Sequence, residues 1–311
     1  IIMIVAWCIA GVLIAYLFFV FFPGACSLLS AYGRAKPHLV TEKNAQAKGF
    51  GPYYEKMLKA RERILSLNPR RVYQTSFDGK KLAAEYIKGS SGKAVIFVHG
   101  FRAEPMMQFG IMASDFYDMG YSILIIHQRA HGESEGRYSG VGLREYRDVL
   151  GWIDVLKEQG EKRIVLYGMS MGATTVGFSV DKLPNNLVKC AIMDCGFESP
   201  EIQMMRDGRK WHMPMTIMMP PARFTAKILL KINLRESVEG HLAGAKVPVF
   251  FLHGTADRGV PVSVVDKLYN ACTSDKGKII AAGADHTISY MAAGDEIQTK
   301  LITFINKYME E

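Results

Sequence analysis

The sequence predicts an α/β fold: a mostly parallel, twisted sheet with helices on both faces, a helical lid insertion, and an N-terminal transmembrane helix ahead of it. Three observations carry this. From Lys93 onward, short runs rich in Val, Ile and Leu alternate with longer segments of helical apolar spacing, the pattern of a parallel sheet with crossover helices. Two β-rich runs at 70–77 and 81–88 flank Asp78 and Gly79, a hairpin signal. Residues 1–22 contain no charged side chain and are almost wholly apolar, long enough to cross a bilayer's hydrocarbon as a helix.

The elements follow in order. Residues 1–22 are expected to be a retained anchor, since the apolar core of a cleaved signal peptide runs to only about 7–15 residues. Residues 23–69 form a basic juxtamembrane segment with one amphipathic helix. From Arg34 to Arg71 it carries ten basic residues against three acidic ones, so nearly all of the formal charge of +8 lies beside the membrane. Such a stretch suits anionic lipid headgroups, and equally a solvated helical face. Nucleic acid is not an expected partner, because no binding motif accompanies the charge.

Residues 70–311 form the α/β domain. After the hairpin come strands at 93–98, 121–126, 163–167, 188–194, 247–253 and 278–282, with helices near 107–119, 143–157 and 171–182. About fifty residues separate the strand ending at Asp194 from the next, far more than a crossover needs. The span 197–243 is read as the lid. Ser199 and Pro200 start a helix in it, and six methionines with Trp211 follow before Pro220 and Pro221 interrupt. Methionine clusters make adaptable apolar surfaces.

Two stretches fit Gly-x-Ser-x-Gly, one around Ser134 and one around Ser170. A serine on this motif becomes a useful nucleophile when a strand runs into it and a helix leaves it. Only Ser170 has that setting. Ser134 lies in a polar loop between Glu133 and Glu135, whose carboxylates would oppose a developing oxyanion. An acid and a histidine should then follow on loops after later strands, and Asp257 and His286 occupy those places in that order. His286 can take the hydroxyl proton, and Asp257 can hold and balance the imidazolium. The oxyanion calls for backbone N–H donors, assigned to Met171, which follows the serine, and Phe101, after the strand at 93–98.

His99, Gly100 and Phe101, the segment from Gln128 to Ser134, the turn at Ser170, the loop at Asp257 and the histidine at His286 together resemble the α/β-hydrolase superfamily. Within it the chain is most similar to membrane-anchored bacterial esterase/lipase-like serine hydrolases, over roughly residues 72–309. The resemblance implies an α/β-hydrolase fold and metal-independent hydrolysis through an acyl-enzyme, with no cofactor. His127 and Ala130 depart from it, standing where many relatives carry aspartate and glycine. His127 is read as anchoring its loop.

The expected activity is cleavage of carboxylic esters with apolar acyl or aryl parts, lipid-like ones included. Peptide or thioester cleavage would use the same triad, and a non-catalytic tethered binding protein is the reading from another class. Trp211, His212, Met215 and Cys195 are candidate pocket residues. The only strand-end rival to Asp257 as the acid is Asp194. Cys8, Cys26, Cys190, Cys195 and Cys272 show neither a disulfide framework nor metal-ligand spacing, and read as small buried hydrophobes. Arg34 and Lys36 by the positive-inside rule would keep the domain in the cytoplasm. The resemblance implies the opposite side, and a single-pass membrane protein with an extracytoplasmic domain is the expectation. The sequence leaves the oligomeric state open.

Overall fold

A computed structural model describes residues 2–184 and 186–310. Ile1 and Glu311, the ends of the predicted anchor and domain, lie outside the described residues. Eight strands form one sheet in the order β1-β2-β4-β3-β5-β6-β7-β8. They are β1 Arg70–Thr75, β2 Lys81–Ile87, β3 Lys93–Val98, β4 Ser122–Ile126, β5 Arg163–Met169, β6 Val188–Asp194, β7 Val249–Gly254 and β8 Lys276–Ala281. β1 and β2 pair antiparallel, as do β2 and β4, and every other pair is parallel.

Strand alternation builds two cores. Ala94, Ile96 and Val98 of β3 face one apolar cluster, with Trp152 and Phe178 from the helices Glu145–Glu158 and Met171–Ser179. Val95 and Phe97 face the other, with Phe109 and Phe116 from the helix Pro105–Asp118. Each of these side chains is fully buried, which stabilises by about 1.5–3 kcal/mol apiece for the larger ones. The chain runs from β3 outward to β4 and then back across to β5, so the loops after β3 and β5 diverge. Such a switch point opens a crevice at the strands' carboxyl ends.

Two predicted boundaries move. The apolar helix does not stop at Phe22 but continues as Ile2–Tyr32. Its turn at Leu17–Phe21 widens to π geometry just ahead of Pro23, which relieves the clash of a proline ring with the carbonyl four residues back. Nor do Pro220 and Pro221 end the lid helix, which spans Met215–Thr225. Pro221 is buried against Gly24 of the first helix, and that packing offsets the lost helical hydrogen bonds.

The segment 23–69 packs closely onto the α/β body. Its helix Tyr54–Ser66 buries Met57 and Ile64 in the second core. The helix lies so close to Pro105–Asp118 that a Cβ on Gly110 would come within 2.9 Å of the Arg61 backbone. Several basic residues are also engaged internally. Arg63 pairs with Asp118, Arg61 with Glu104, and Arg71 with Glu85 and Glu133, which reduces the charge left for a membrane surface. Among the cysteines, Cys190, Cys195 and Cys272 are buried, whereas Cys8 and Cys26 are exposed on the apolar helix.

Candidate active site

β5 runs into Ser170, and the helix Met171–Ser179 leaves it. Ser170 adopts φ 55° and ψ −118°, a backbone state that costs about 1–3 kcal/mol and survives only where its surroundings impose it. The flanking glycines are what the turn requires. A Cβ on Gly168 would lie 2.3 Å from the Gly172 carbonyl oxygen, and one on Gly172 would lie 1.8 Å from that of Val98. Bare backbone at both positions lets β3, β5 and the helix converge under the serine. The Ser170 amide donates to the Asp194 carbonyl at 2.8 Å, which pins the turn to β6.

Two loops bring the partners. His286, after β8, has Nε2 at 2.8 Å from Ser170 Oγ and Nδ1 at 2.7 Å from Asp257 Oδ2. Asp257 follows β7, and its side chain is fully buried. Its Oδ1 accepts the amides of Gly259 and Val260, each at 2.7 Å. Burial pushes the Asp257 carboxyl up, but hydrogen bonds from His253 and His286 outweigh it and hold it far below the usual carboxylate range. The loop around the imidazole needs Gly259, where a Cβ would come within 2.8 Å of His286 Cγ. The His286 amide donates to Asp285, whose carboxylate is held by Arg258.

His253 was not foreseen. It lies at the end of β7, 1% exposed, with Nε2 at 2.9 Å from the Val260 carbonyl and 3.3 Å from Asp257 Oδ2. Burial lowers its pKa, and the Asp257 carboxylate and Val260 carbonyl raise it by more. It is a positioning residue for Asp257, and a histidine inside an apolar strand was the only signal for it.

The loop after β3 turns its backbone toward the serine, and a Cβ on Gly100 would sit 3.4 Å from Ser170 Cβ. The amides flanking Phe101 are committed elsewhere. Gly100 N donates to Gln108 Oε1 at 2.9 Å, and Arg102 N to His131 Nε2 at 3.0 Å. Buried His99 steadies the loop from below. Its Nε2 accepts the Gln128 amide at 3.0 Å, and burial keeps the ring neutral. Met171 opens its helix, so its amide is one of the first-turn donors without an intrahelical acceptor.

A cavity of about 620 Å³ opens above Ser170, with Met171, Phe101 and His286 also in its walls. Trp211 and Met215 line it as expected. Two other candidates do not. Cys195 takes φ 47° directly after β6, with its amide on the Leu252 carbonyl, which tucks the thiol behind the triad at 0% exposure. Its Sγ, Asp257 and His286 place ligand-type atoms within 4.8 Å of one another, but burial pushes the thiol far up and both imidazole nitrogens are already bonded. His212 has φ 53° just beyond the helix Pro200–Lys210 and turns outward to solvent. The cavity gains walls the sequence did not indicate, notably Ser27, Leu28, Ala31 and Tyr32 of the first helix.

The other serine motif is structural. Ser134 Oγ accepts the Ala83 amide at 2.9 Å, seating its loop on the edge of β2. His127 Nδ1 accepts the Glu133 amide at 3.0 Å and Nε2 faces Glu85, so this ring fastens the same loop. Asp194 is buried at the end of β6 with Tyr167 Oη donating to Oδ2 at 3.1 Å, and burial pushes its carboxyl up to about 6.

Comparison with known proteins agrees with this architecture. Residues 93–224 match the family described as the alpha/beta hydrolase fold. YqkD, an uncharacterized protein of Bacillus subtilis, is 28% identical over 200 residues, 63% of this chain. The match covers 65% of YqkD itself, a little under two thirds of that relative. An uncharacterized membrane protein of Saccharomyces cerevisiae is 28% identical over 204 residues, 65% of this chain and 67% of that one. Among solved structures, the Pyrococcus furiosus esterase Pf2001 superposes with a TM-score of 0.64 at 23% identity, covering 89% of this chain and 99% of that one. At that identity the likeness is one of fold. Sheet order, the turn between β5 and its helix, and the family match over residues 93–224 converge, and the chain has the α/β-hydrolase fold.

Proposed function

We propose that the protein is a membrane-tethered serine hydrolase that cleaves carboxylic esters with apolar acyl or aryl parts. The observation that carries the reading is the hydrogen-bonded row from Asp257 through His286 to Ser170, on a strained turn that opens into an apolar-walled cavity. His286 takes the Ser170 proton as Oγ attacks the ester carbonyl, and the anionic Asp257 balances the imidazolium. The Met171 and Phe101 amides receive the oxyanion, the alcohol leaves with the proton from His286, and water hydrolyses the acyl-enzyme by the same steps.

The esterase name of the Pyrococcus structure supports ester cleavage, and the methionines of the lid suit an apolar acyl group. The helix Ile2–Tyr32, the one described helix long and apolar enough to cross a bilayer, supports a single-pass tether, as does the yeast relative's name. We put the domain on the extracytoplasmic side, as the resemblance to membrane-anchored bacterial hydrolases implies, with the helix and basic segment as its lipid contacts.

Labelling with a fluorophosphonate tests the chemistry. Wild type should react stoichiometrically and Ser170→Ala should not. Equal labelling of the two proteins would end the serine-hydrolase reading.

A further inference from the structure

The cavity above Ser170 lies between the first helix and the lid. Gly24, Leu28 and Ala31 bound one side, and Met215, Met219 and Ala222 the other. The two helices touch at backbone level. A Cβ on Gly24 would lie 2.9 Å from Pro221 Cγ and 3.2 Å from the Met218 carbonyl oxygen. One turn earlier, Phe21 meets Phe224 edge-on at 5.6 Å.

The outer surface of this junction is apolar on both helices. Ile217, Phe224, Ile228 and Leu229 of the lid are 53%, 56%, 57% and 59% exposed. Phe18, Phe19 and Phe22 of the first helix are exposed at 70%, 73% and 68%. Through the contact between Phe21 and Phe224 the two sets join, and soluble monomers rarely carry contiguous apolar patches of more than a few hundred Å². At the far end of the first lid helix, Trp211 is 79% exposed beside exposed Arg209 and Lys210. An exposed tryptophan next to cations at the end of an amphipathic helix has the composition of a membrane interface.

We infer that the lid is seated in the bilayer together with the first helix, and that the substrate is a bilayer-resident amphiphilic ester. Its acyl chain passes from the leaflet between the first helix and the lid into the cavity, bringing the ester carbonyl to Ser170. The inference deepens the serine-hydrolase reading and rests on it. The occupant of the apolar face is a lipid bilayer because the face continues a helix of bilayer-spanning length and composition.

The test uses the full chain in phosphatidylcholine vesicles, comparing wild type with the double variant Phe224→Glu, Ile228→Glu, whose side chains lie outside the cavity. The readout is the ratio of turnover on p-nitrophenyl palmitate carried in the vesicles to turnover on water-soluble p-nitrophenyl butyrate. Because the first helix keeps both proteins on the vesicle, a fall in the ratio by about tenfold or more reports loss of lid seating. Gly24→Leu, which wedges the first helix from Pro221, should lower the same ratio. An unchanged ratio in both variants, with wild type active on butyrate, overturns the inference and leaves the hydrolase reading standing. A wild type that hydrolyses neither ester and resists fluorophosphonate removes both. If light scattering in detergent shows wild type dimeric and the double variant monomeric, the face binds a second copy, and the bilayer assignment is overturned.

Discussion

Replacing Asp257 by asparagine keeps the shape of the side chain and halves its accepting capacity. Oδ2 receives His286 Nδ1 at 2.7 Å and lies 3.3 Å from His253 Nε2, while Oδ1 receives the amides of Gly259 and Val260 at 2.7 Å each. An asparagine offers one oxygen and one NH₂ to these four donors. The backbone amides cannot change protonation state, so the oxygen must face them and the NH₂ must face the two imidazoles. His286 then avoids a donor-donor clash by giving up the proton on Nδ1 and carrying it on Nε2, the atom that must accept from Ser170. The base is disabled while the fold is kept. Turnover should fall by about 10⁴, or about 5 kcal/mol of transition-state stabilisation. Initial rates on p-nitrophenyl butyrate across the neutral pH range measure it, with the thermal midpoint as the folding control. A well-folded Asp257→Asn enzyme within about tenfold of wild type would refute this geometry of proton transfer and turn attention to Asp194.

Two further outcomes follow from the same contacts. In Gly259→Ala the new methyl would lie 2.8 Å from His286 Cγ and 2.9 Å from Nδ1. The ring must shift, turnover should drop by about 10²-fold with the fold intact, and an unaltered kcat would show that the loop yields instead. For Asp194→Asn the expected change is in stability. Burial raises the Asp194 carboxyl to about 6 in the folded chain, against about 3.9 unfolded. The folded state therefore binds the extra proton between those values, and this group's contribution to stability is lost as pH rises through that window. The uncharged variant should match wild type near pH 4 and exceed it by about 3 kcal/mol near pH 8. Urea midpoints at the two pH values decide it, and a constant gap between the proteins would sink the linkage.

Legibility in the sequence tracks how local each requirement is. The turn at Ser170 could be read because Gly168 and Gly172 are demanded by backbone atoms a few residues away and by the strand next to them. Asp257 and His286 could be read because a parallel sheet carries every loop after a strand to one rim. His253 could not, since its partner Asp257 is recruited only when the loop folds back onto β7. Cys195 failed as a pocket residue for a similar reason. Counting along β6 puts it at the rim, but its left-handed backbone rotates the thiol beneath the triad. Pro220 and Pro221 read as a helix end because local rules penalise them, and the compensating contact comes from a glycine nearly two hundred residues earlier.

The first helix shows the limit most clearly. Its lack of charge says that it avoids water, and a bilayer or a protein surface satisfies that condition equally. What separates the two is the placement of small residues, with Gly24, Ser27, Leu28 and Ala31 spaced by three and four residues along the cavity wall. A tether needs only length and apolarity, whereas a wall needs a particular face at a particular height. Substitutions toward Ile2, which alter apolarity alone, should therefore matter for where the protein resides. Those at Gly24, Leu28 or Ala31 should matter for which acyl chain it accepts, because at these positions the helix forms the cavity wall.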